Sequence, residues 1–395
     1  MSSTIRVGFV GCGIISGRHL KGLKVLKKTG AHDFKLTALA SKTRKHAESF
    51  AENVSRDLDQ ETPDIMPSYG ELFTSGKVDA VIVCTMHSQH HTMACEAFEA
   101  GLHVAVEKPL AITIKAGQAM IDAANKAGKV LANFENFHYD TWVRWSRWAV
   151  ESGALGNVQM VFQGKSGIGS DTPNKVTLDT PWRITKLGAG AGITLDGGVH
   201  DFAAIRAIAG EIDEVSGLTS RFVDVRVCCD GTEVPNETED VGLATLRFKN
   251  GAVGLYAHSV VIPGKQTEIG IPIHAHGSKG SLICNRENGG EIFVAEKSQG
   301  NVKDLYGETC PQARKGREFP KGIDDNFALE QYEFFSAINQ NRQCETDGRD
   351  GLIDMACAYS IIESATLGRP VKVDDVLAGK ISKYQREIDR HYELI

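Results

Sequence analysis

Ile5-Arg6-Val7-Gly8-Phe9-Val10-Gly11-Cys12-Gly13-Ile14-Ile15-Ser16 is the stretch on which the fold turns. Its apolar half reads as a buried parallel strand, and Gly-x-Gly followed by a helix is how a nucleotide pyrophosphate is commonly held. The first glycine permits a tight turn and the second lets phosphates approach the backbone. The helix N-terminus then supplies N–H groups and a positive dipole end. The third position of this fingerprint is Ser16, with Gly17 behind it, and a residue that small still allows close packing of helix on strand. A doubly wound parallel sheet is therefore expected at the N-terminus.

The chain has 395 residues, of which 42% are hydrophobic and 24% charged, an ordinary globular composition whose length suggests two domains, or three. A net charge of −6 argues against a nucleic-acid partner, which would call for a basic surface. The chain does not open with a basic segment leading into an apolar one. Its apolar runs fall short of the roughly 18 residues a membrane span requires, so no membrane partner and a cytoplasmic location are expected. The nine cysteines are odd in number and lack a Cys-x-x-Cys pair; Cys84 and Cys284 sit in apolar runs and Cys12 within the glycine turn. Reduced thiols are expected, not a disulfide framework.

A second strand, Leu36 to Ser41, ends where the adenosine ribose of a dinucleotide would lie. NAD sites usually place an acid there, but here the chain continues Ser41-Lys42-Thr43-Arg44. A hydroxyl with two cations suits a 2′-phosphate, so NADP is preferred over NAD. The competing reading is a solvated helix start capped by Ser41. A third strand, Val78 to Thr85, runs into Met86-His87-Ser88-Gln89-His90-His91. Its histidines lack a carboxylate or thiolate at ligand spacing, so no metal is expected. Next, His103-Val-Ala-Val-Glu107-Lys108-Pro109 puts a charged pair at the C-terminal edge of the sheet, where open α/β folds bind ligands. Lys108 is there either a solvated residue or a functional cation, and Pro109 restricts its backbone. A helix from Ile114 to Ala127 and a strand from Val130 to Phe134 complete the unit.

The pattern changes after residue 135. Trp142, Trp145 and Trp148, spaced by three, read as the packed face of a connecting helix. Alternation in Val158–Phe162 and Gly242–Phe248, with Lys249-Asn250-Gly251 leading into Ala252–Tyr256, predicts an antiparallel sheet containing a hairpin. The Gly/Lys/Arg-rich stretch from Gly300 to Lys321 reads as a mobile loop. Within this half, Gly192-Ile-Thr-Leu-Asp196-Gly-Gly-Val-His200 places an acid and an imidazole four apart. On a helix starting near Gly192 they share a face. An acid beside an imidazole fixes its tautomer and raises its basicity, as a general base for alcohol oxidation requires. The alternative is a capped helix with a structural histidine.

Gly11-x-Gly13, Glu107-Lys108-Pro109, Trp182-Arg183, Asp196-x3-His200, Phe248-Lys-Asn-Gly-Ala, Gly277-Ser-Lys-Gly280 and Ser364-Ala365 before Gly368-Arg-Pro-Val form an ordered set. In that set the chain resembles, over nearly its whole length, the glucose–fructose oxidoreductase and inositol dehydrogenase family (Gfo/Idh/MocA). The resemblance implies an α/β fold: an N-terminal Rossmann parallel sheet over 1–135, and over 136–395 a C-terminal α+β domain with a large, mainly antiparallel open sheet. The final helix is expected to pack back on the first domain, and the open sheet to mediate a homo-oligomer, dimer or tetramer. The implied activity is hydride transfer between a nicotinamide and a secondary alcohol or ketone of a sugar, sugar derivative or cyclic polyol. Lys108, Asp196 and His200 would surround the reacting carbon. Free imidazole titrates near 6.5 and free lysine near 10.4, which favours His200 as the base. Expected cofactor contacts are Gly11, Gly13, Ile14, Ile15, Ser41, Lys42, Arg44, Thr85, His87, His90, Glu107, Lys108, Asn136, Trp182 and Arg183. Expected substrate contacts are Lys108, His138, Lys165, Trp182, Arg183, Asp196 and His200, since sugars favour an aromatic face with charged donors. The chain departs from the family pattern at Ser16, at Met86 where proline is usual, and at Ala203 where a second acid often follows the histidine; Asp201 is a candidate stand-in. The rival reading is a non-catalytic dinucleotide- or sugar-sensing regulator of the same fold.

Overall fold

The computed structural model describes residues 4–167, 174–176, 179–262 and 273–395. The chain divides into two compact units, one running to Tyr139 with Gly316–Leu352 added, the other Asp140–Lys315 with Ile353–Ile395.

The first unit is built on β1 (Ile5–Val10), β2 (Phe34–Ala40), β3 (Asp64–Ile65), β4 (Ala80–Val83), β5 (His103–Glu107) and β6 (Leu131–Phe134), in the order β3-β2-β1-β4-β5-β6. Every pairing is parallel. All four residues of β4 and of β6 are buried, as expected of strands covered on both faces. The strand order reverses between β1 and β4, so the turn after β1 and the loop after β4 flank the point where such sheets bind ligands.

Helix Asn326–Gln340, distant in sequence, completes this core: Phe335 stacks on Phe34 at 5.2 Å, and Phe334 meets Phe134 edge-on at 5.9 Å. The division at 135 expected from sequence thus differs from the compact units, which keep Asn136–Tyr139 and Gly316–Leu352 with the first sheet. Leu329, Phe334 and Phe335 share one apolar cluster with Phe9, Leu23 and Leu36, and burial of those rings holds the segment there.

The second unit carries β7 (Val158–Ser166), β8 (Ile212–Ser220), a two-stranded ribbon of β9 (Val225–Val227) and β10 (Glu233–Pro235), β11 (Val241–Phe248), β12 (Val253–Ser259), β13 (His274–Gly277), β14 (Ser281–Ile283), β15 (Glu291–Val294), β16 (Lys297–Asn301) and β17 (Val371–Lys372). Apart from the ribbon they form one sheet, β16-β15-β14-β13-β7-β12-β11-β8-β17, antiparallel except where β7 meets β12. The hairpin expected at Lys249-Asn250-Gly251 joins β11 to β12, with Gly251 at φ 90°. Along β11, Gly242, Ala244, Leu246 and Phe248 are buried while Leu243, Thr245 and Arg247 are exposed. On the exposed face Leu218 (70% exposed), Leu243, Leu255 (50%), Val253 and Met160 adjoin through the strand register, and the last three border a groove of about 480 Å³.

Helix Thr141–Glu151 buries Trp142 and Trp148, the latter edge-on to Tyr306 at 5.4 Å, and leaves Trp145 half-buried, so two of the three tryptophans expected on the packed face are buried there. The stretch from Gly300 to Lys321, expected to be a mobile loop, instead forms helices Val302–Thr309 and Gln312–Glu318. Asn301 caps the first by accepting the Asp304 N–H at 2.9 Å, and Val302 and Tyr306, four apart, bury its inner face. All nine cysteines are free thiols. Among the described residues no helix is long and apolar enough to cross a membrane.

Candidate functional site

Two glycines shape the turn after β1 for different reasons. Gly11 has φ 90°, and a Cβ there would meet the Cys84 carbonyl oxygen at 2.6 Å, so strand packing alone demands glycine. A Cβ at Gly13 would meet nothing within 4 Å. The space over Gly13 is the kind of cradle a phosphate fills. Helix Ile14–Thr29 begins there with Gly13 as its extended N-cap, no side-chain cap and no acid in its first turn. Its first N–H groups therefore point where an anion is favoured. Ile14 is 67% exposed beside them. Ser16 is buried and donates its hydroxyl to the Gly13 carbonyl at 2.5 Å, which fits the small third residue of the fingerprint.

Ser41 lies against this turn, its hydroxyl accepting the Cys12 N–H at 3.4 Å. It does not cap the next helix, Arg44–Leu58, whose N-cap is Thr43. Lys42 is exposed, and Arg44 pairs with Glu48 on its own helix at 2.8 Å. Exposed i,i+4 pairs of this kind are worth only about 0.3–0.5 kcal/mol, so Arg44 is easily redirected.

At the other side of the switch point, β5 ends in Glu107 and a cis Lys108–Pro109 bond. Glu107 is buried, and its carboxylate does two things: Oε1 lies 2.7 Å from His19 Nε2, and Oε2 accepts the Lys108 N–H at 3.1 Å. His19 comes from the helix that follows the glycine turn and is itself fully buried, with Gln331 Nε2 at 3.2 Å and Glu330 at 3.5 Å from its Nδ1. One polar network thus joins the turn's helix to the backbone of Lys108, whose side chain is half-buried at the sheet edge.

The histidines after β4 face inward. His90 is fully buried, with Nδ1 3.0 Å from the Pro109 carbonyl and Nε2 3.2 Å from that of Thr85, and burial pushes its titration down. A neutral ring has one N–H, so it serves one of these carbonyls at a time and braces the loop to the Lys108–Pro109 turn. His87 is buried beside it, the ring centroids 5.9 Å apart. The Thr85 hydroxyl lies 3.6 Å from Met93 Sδ. Among the described residues no group of three or more His, Cys, Asp or Glu could hold a metal ion. Asn136 is half-buried at the start of the 3-10 turn Asn136–Tyr139, where His138 Nε2 pairs with Glu345 at 2.9 Å.

In the second unit the helix expected near Gly192 is broken. Ile193–Asp196 forms one turn and Gly198–Ala209 the helix proper, with Gly197 at the joint. Glu239 fixes the short turn by accepting the N–H groups of Gly192 at 3.0 Å and Thr194 at 3.1 Å, and burial raises its carboxyl above the usual range. A Cβ at Gly197 would lie 2.7 Å from His258 Cε1, so the joint must be glycine for that ring to fit. Asp196 accepts from Arg183 Nη1 at 2.6 Å, and the guanidinium sits 4.5 Å over the Trp182 ring. Arg183 thus pairs with an acid, and that acid is Asp196, to which the sequence reading gave a separate role. His200 is half-buried one turn further on.

Asp201 is buried, 2.8 Å from His258 Nδ1 and 3.3 Å from the Tyr256 hydroxyl. Burial opposes its ionisation, but His258, with Lys165 and His200 nearby, outweighs it and holds the carboxyl below its usual range. Lys165 of β7 is the register partner of His258 on β12. Asp201 is thus part of the packing under the helix, with Lys165 and His200 close enough to influence its charge. Sequence reasoning overlooked His258, Tyr256, Glu239 and, in the first unit, the buried Glu135. His258 and Tyr256 carried one signal: both lie on the inward-facing positions of an alternating strand.

The two turn glycines separate experimentally. Gly11→Ala should lower stability by about 1–3 kcal/mol, because it combines a disfavoured φ with a backbone clash. Gly13→Ala should change stability by less than about 0.5 kcal/mol. It should nevertheless weaken dinucleotide binding tenfold or more, read by thermal unfolding without ligand and by fluorescence titration.

Residues 5–134 match the model of an oxidoreductase family with an NAD-binding Rossmann fold, and residues 147–373 that of the same family's C-terminal alpha/beta domain. The myo-inositol 2-dehydrogenase of Thermotoga maritima is 25% identical over 377 residues, covering 94% of this chain and 100% of that protein. The levoglucosan dehydrogenase of Pseudarthrobacter phenanthrenivorans is 27% identical over 323 residues, covering 76% of this chain and 81% of that one. A solved levoglucosan dehydrogenase in complex with NADH and L-sorbose shares the fold, with TM-score 0.78 at 23% identity over 94% of this chain and 100% of that one. The chain belongs to the Gfo/Idh/MocA oxidoreductase family, with an NAD-binding Rossmann domain followed by the family's C-terminal α/β domain.

Proposed function

We propose that the protein transfers hydride between a nicotinamide dinucleotide and a secondary alcohol or ketone of a sugar, sugar derivative or cyclic polyol. The observation that carries this reading is the network at the edge of the first sheet. An open glycine cradle on a helix N-terminus and a lysine are held to each other through His19 and Glu107. The names of the relatives, which act on inositol and on levoglucosan, support the substrate class.

When bound, the dinucleotide supplies the hydride acceptor or donor. The N–H groups at Ile14 and Ile15 would hold its phosphates, with Thr85, His87 and Asn136 around it and His90 and Glu107 as braces. The Lys108 ammonium stabilises the negative charge that grows on the alcohol oxygen as its proton leaves. In the oxidative direction His200 takes that proton, an imidazole being already poised for transfer near neutral pH. Asp196 holds Arg183 against Trp182, giving a flat aromatic and cationic surface for a sugar face, with Lys165 and His138 as further polar contacts.

Lys108→Ala and His200→Ala should each lower kcat by roughly 10²–10⁴-fold on whichever member of a sugar and polyol panel gives an absorbance change at 340 nm. Dinucleotide affinity should change far less in His200→Ala. Near-normal turnover in both variants would place the chemistry elsewhere.

We further propose NADP over NAD, on Ser41, Lys42 and Arg44 and the lack of an acid after β2. Ser41→Asp with Lys42→Ala should cost about 2–4 kcal/mol of NADP binding and reverse the NADP/NAD ratio of kcat/KM. An unchanged ratio would refute the assignment.

The exposed face bearing Leu218, Leu243 and Leu255 is proposed to be covered by a second copy of the chain, since a contiguous apolar patch of this kind is uncommon on a monomer. Leu218→Lys with Leu255→Lys should halve the mass read by light scattering. An unaltered assembly would exclude this face.

A further inference from the structure

Glu135 has no part in the steps above, yet it stands beside their principal cation. β5 and β6 pair in parallel with Glu107 opposite Phe134, and Lys108 and Glu135 are the residues that directly follow these strand ends at the C-terminal edge of the sheet. Glu135 is 0% exposed, and its Oε1 accepts the Phe137 N–H at 3.1 Å. The charged groups around it are few. Lys108 and Glu107 face it from the end of β5, and His138, paired with Glu345, from the turn that follows. Behind Glu107 stand His19 and Glu330. The segment packed on β6 at Asn133 and Ala132 contributes Asp347, Arg349 and Asp350.

We propose that Glu135 sets the charge Lys108 presents to the reacting oxygen. As a neutral carboxyl it leaves the ammonium uncancelled; as a carboxylate it pairs with the ammonium and withdraws that charge. The proposal rests on the catalytic reading of Lys108 given above.

Burial is the largest influence on Glu135, ahead of the opposing pull of Lys108, and pushes its carboxyl up to about 8. Below that pH the acid is protonated and Lys108 acts alone. Above it the carboxylate forms and the pair becomes net neutral. Oxidation should therefore have an acid limb from His200 and an alkaline limb near 8 that belongs to Glu135.

The test uses the full-length protein and two readouts. Competitive acetylation followed by peptide mass spectrometry reads the titration of Lys108 without turnover, and kcat/KM for oxidation is measured across pH. In Glu135→Gln the labelling midpoint of Lys108 should fall by about one pH unit or more, since its carboxylate partner is gone. The alkaline limb should rise from near 8 to coincide with that midpoint. Glu135→Asp keeps the acid but draws it back, and should lower the midpoint by a smaller amount, which serves if the Gln variant does not fold. An unmoved midpoint in whichever variant folds, or an alkaline limb left in place in Glu135→Gln, overturns the proposal. Lys108→Met separates the two readings. If it retains near-normal turnover, the catalytic role fails whatever the labelling shows; if it is inactive and Glu135→Gln changes nothing, only this inference fails.

Discussion

The carboxylate of Glu107 is where the first unit is committed. A buried carboxylate is costly unless its oxygens are matched, and here one oxygen faces His19 while the other receives the Lys108 N–H. Removing one partner of such a buried pair typically costs about 3–5 kcal/mol, far more than any exposed pair on this surface contributes. The geometric consequence matters as much as the energy. His19 lies on the helix that starts at the glycine turn, and Gln331 of helix Asn326–Gln340 donates to its other nitrogen. The turn, the lysine and the distant helix therefore keep fixed positions relative to one another.

Acids in the second unit follow the same rule with different partners. Glu239 is matched by backbone N–H groups, Asp201 by His258 and Tyr256, and Asp196 by Arg183. Asp201 is buried and Glu239 half-buried, and both act on shape: they set the short turn before Asp196 and seat the helix carrying His200. Arg183 and Asp196 are partly open to solvent, so their pair is held less firmly and is the one suited to exchange contacts with an incoming polar molecule.

The sequence was legible where the signal is local. A parallel strand ending in Gly-x-Gly, an alternating hairpin around Asn250-Gly251 and a tryptophan stripe on a helix each depend on residues within a dozen positions. What stayed hidden depends on distant partners. Nothing near Phe334 or Phe335 says that their rings complete the sheet of β1 and β2. The helices after Asn301 were masked by glycine, lysine and arginine content, although Val302 and Tyr306 anchor them. The spacing of Asp196 and His200 suggested one helix, but the need to admit His258 at Gly197, a contact with a strand some sixty residues later, breaks it there. Of the candidate site, the residue types were readable, whereas the Arg183–Asp196 pair and the inward turn of His90 were set by tertiary packing.

The first unit is discontinuous in the chain, and this bears on how the protein is made. Its sheet is encoded before Tyr139, but the rings that close its core arrive only with Gly316–Leu352. At translation rates of about 5–20 residues per second, that interval lasts roughly 10–40 s. Throughout it, Phe34 and Phe134 lack the aromatic neighbours that cover them in the finished unit, while the second sheet is already being synthesised. The nascent N-terminal sheet is therefore an apolar surface that must be shielded until the later helix emerges, and the ribosome-bound intermediate is the state in which this chain is most exposed to chaperones and to aggregation.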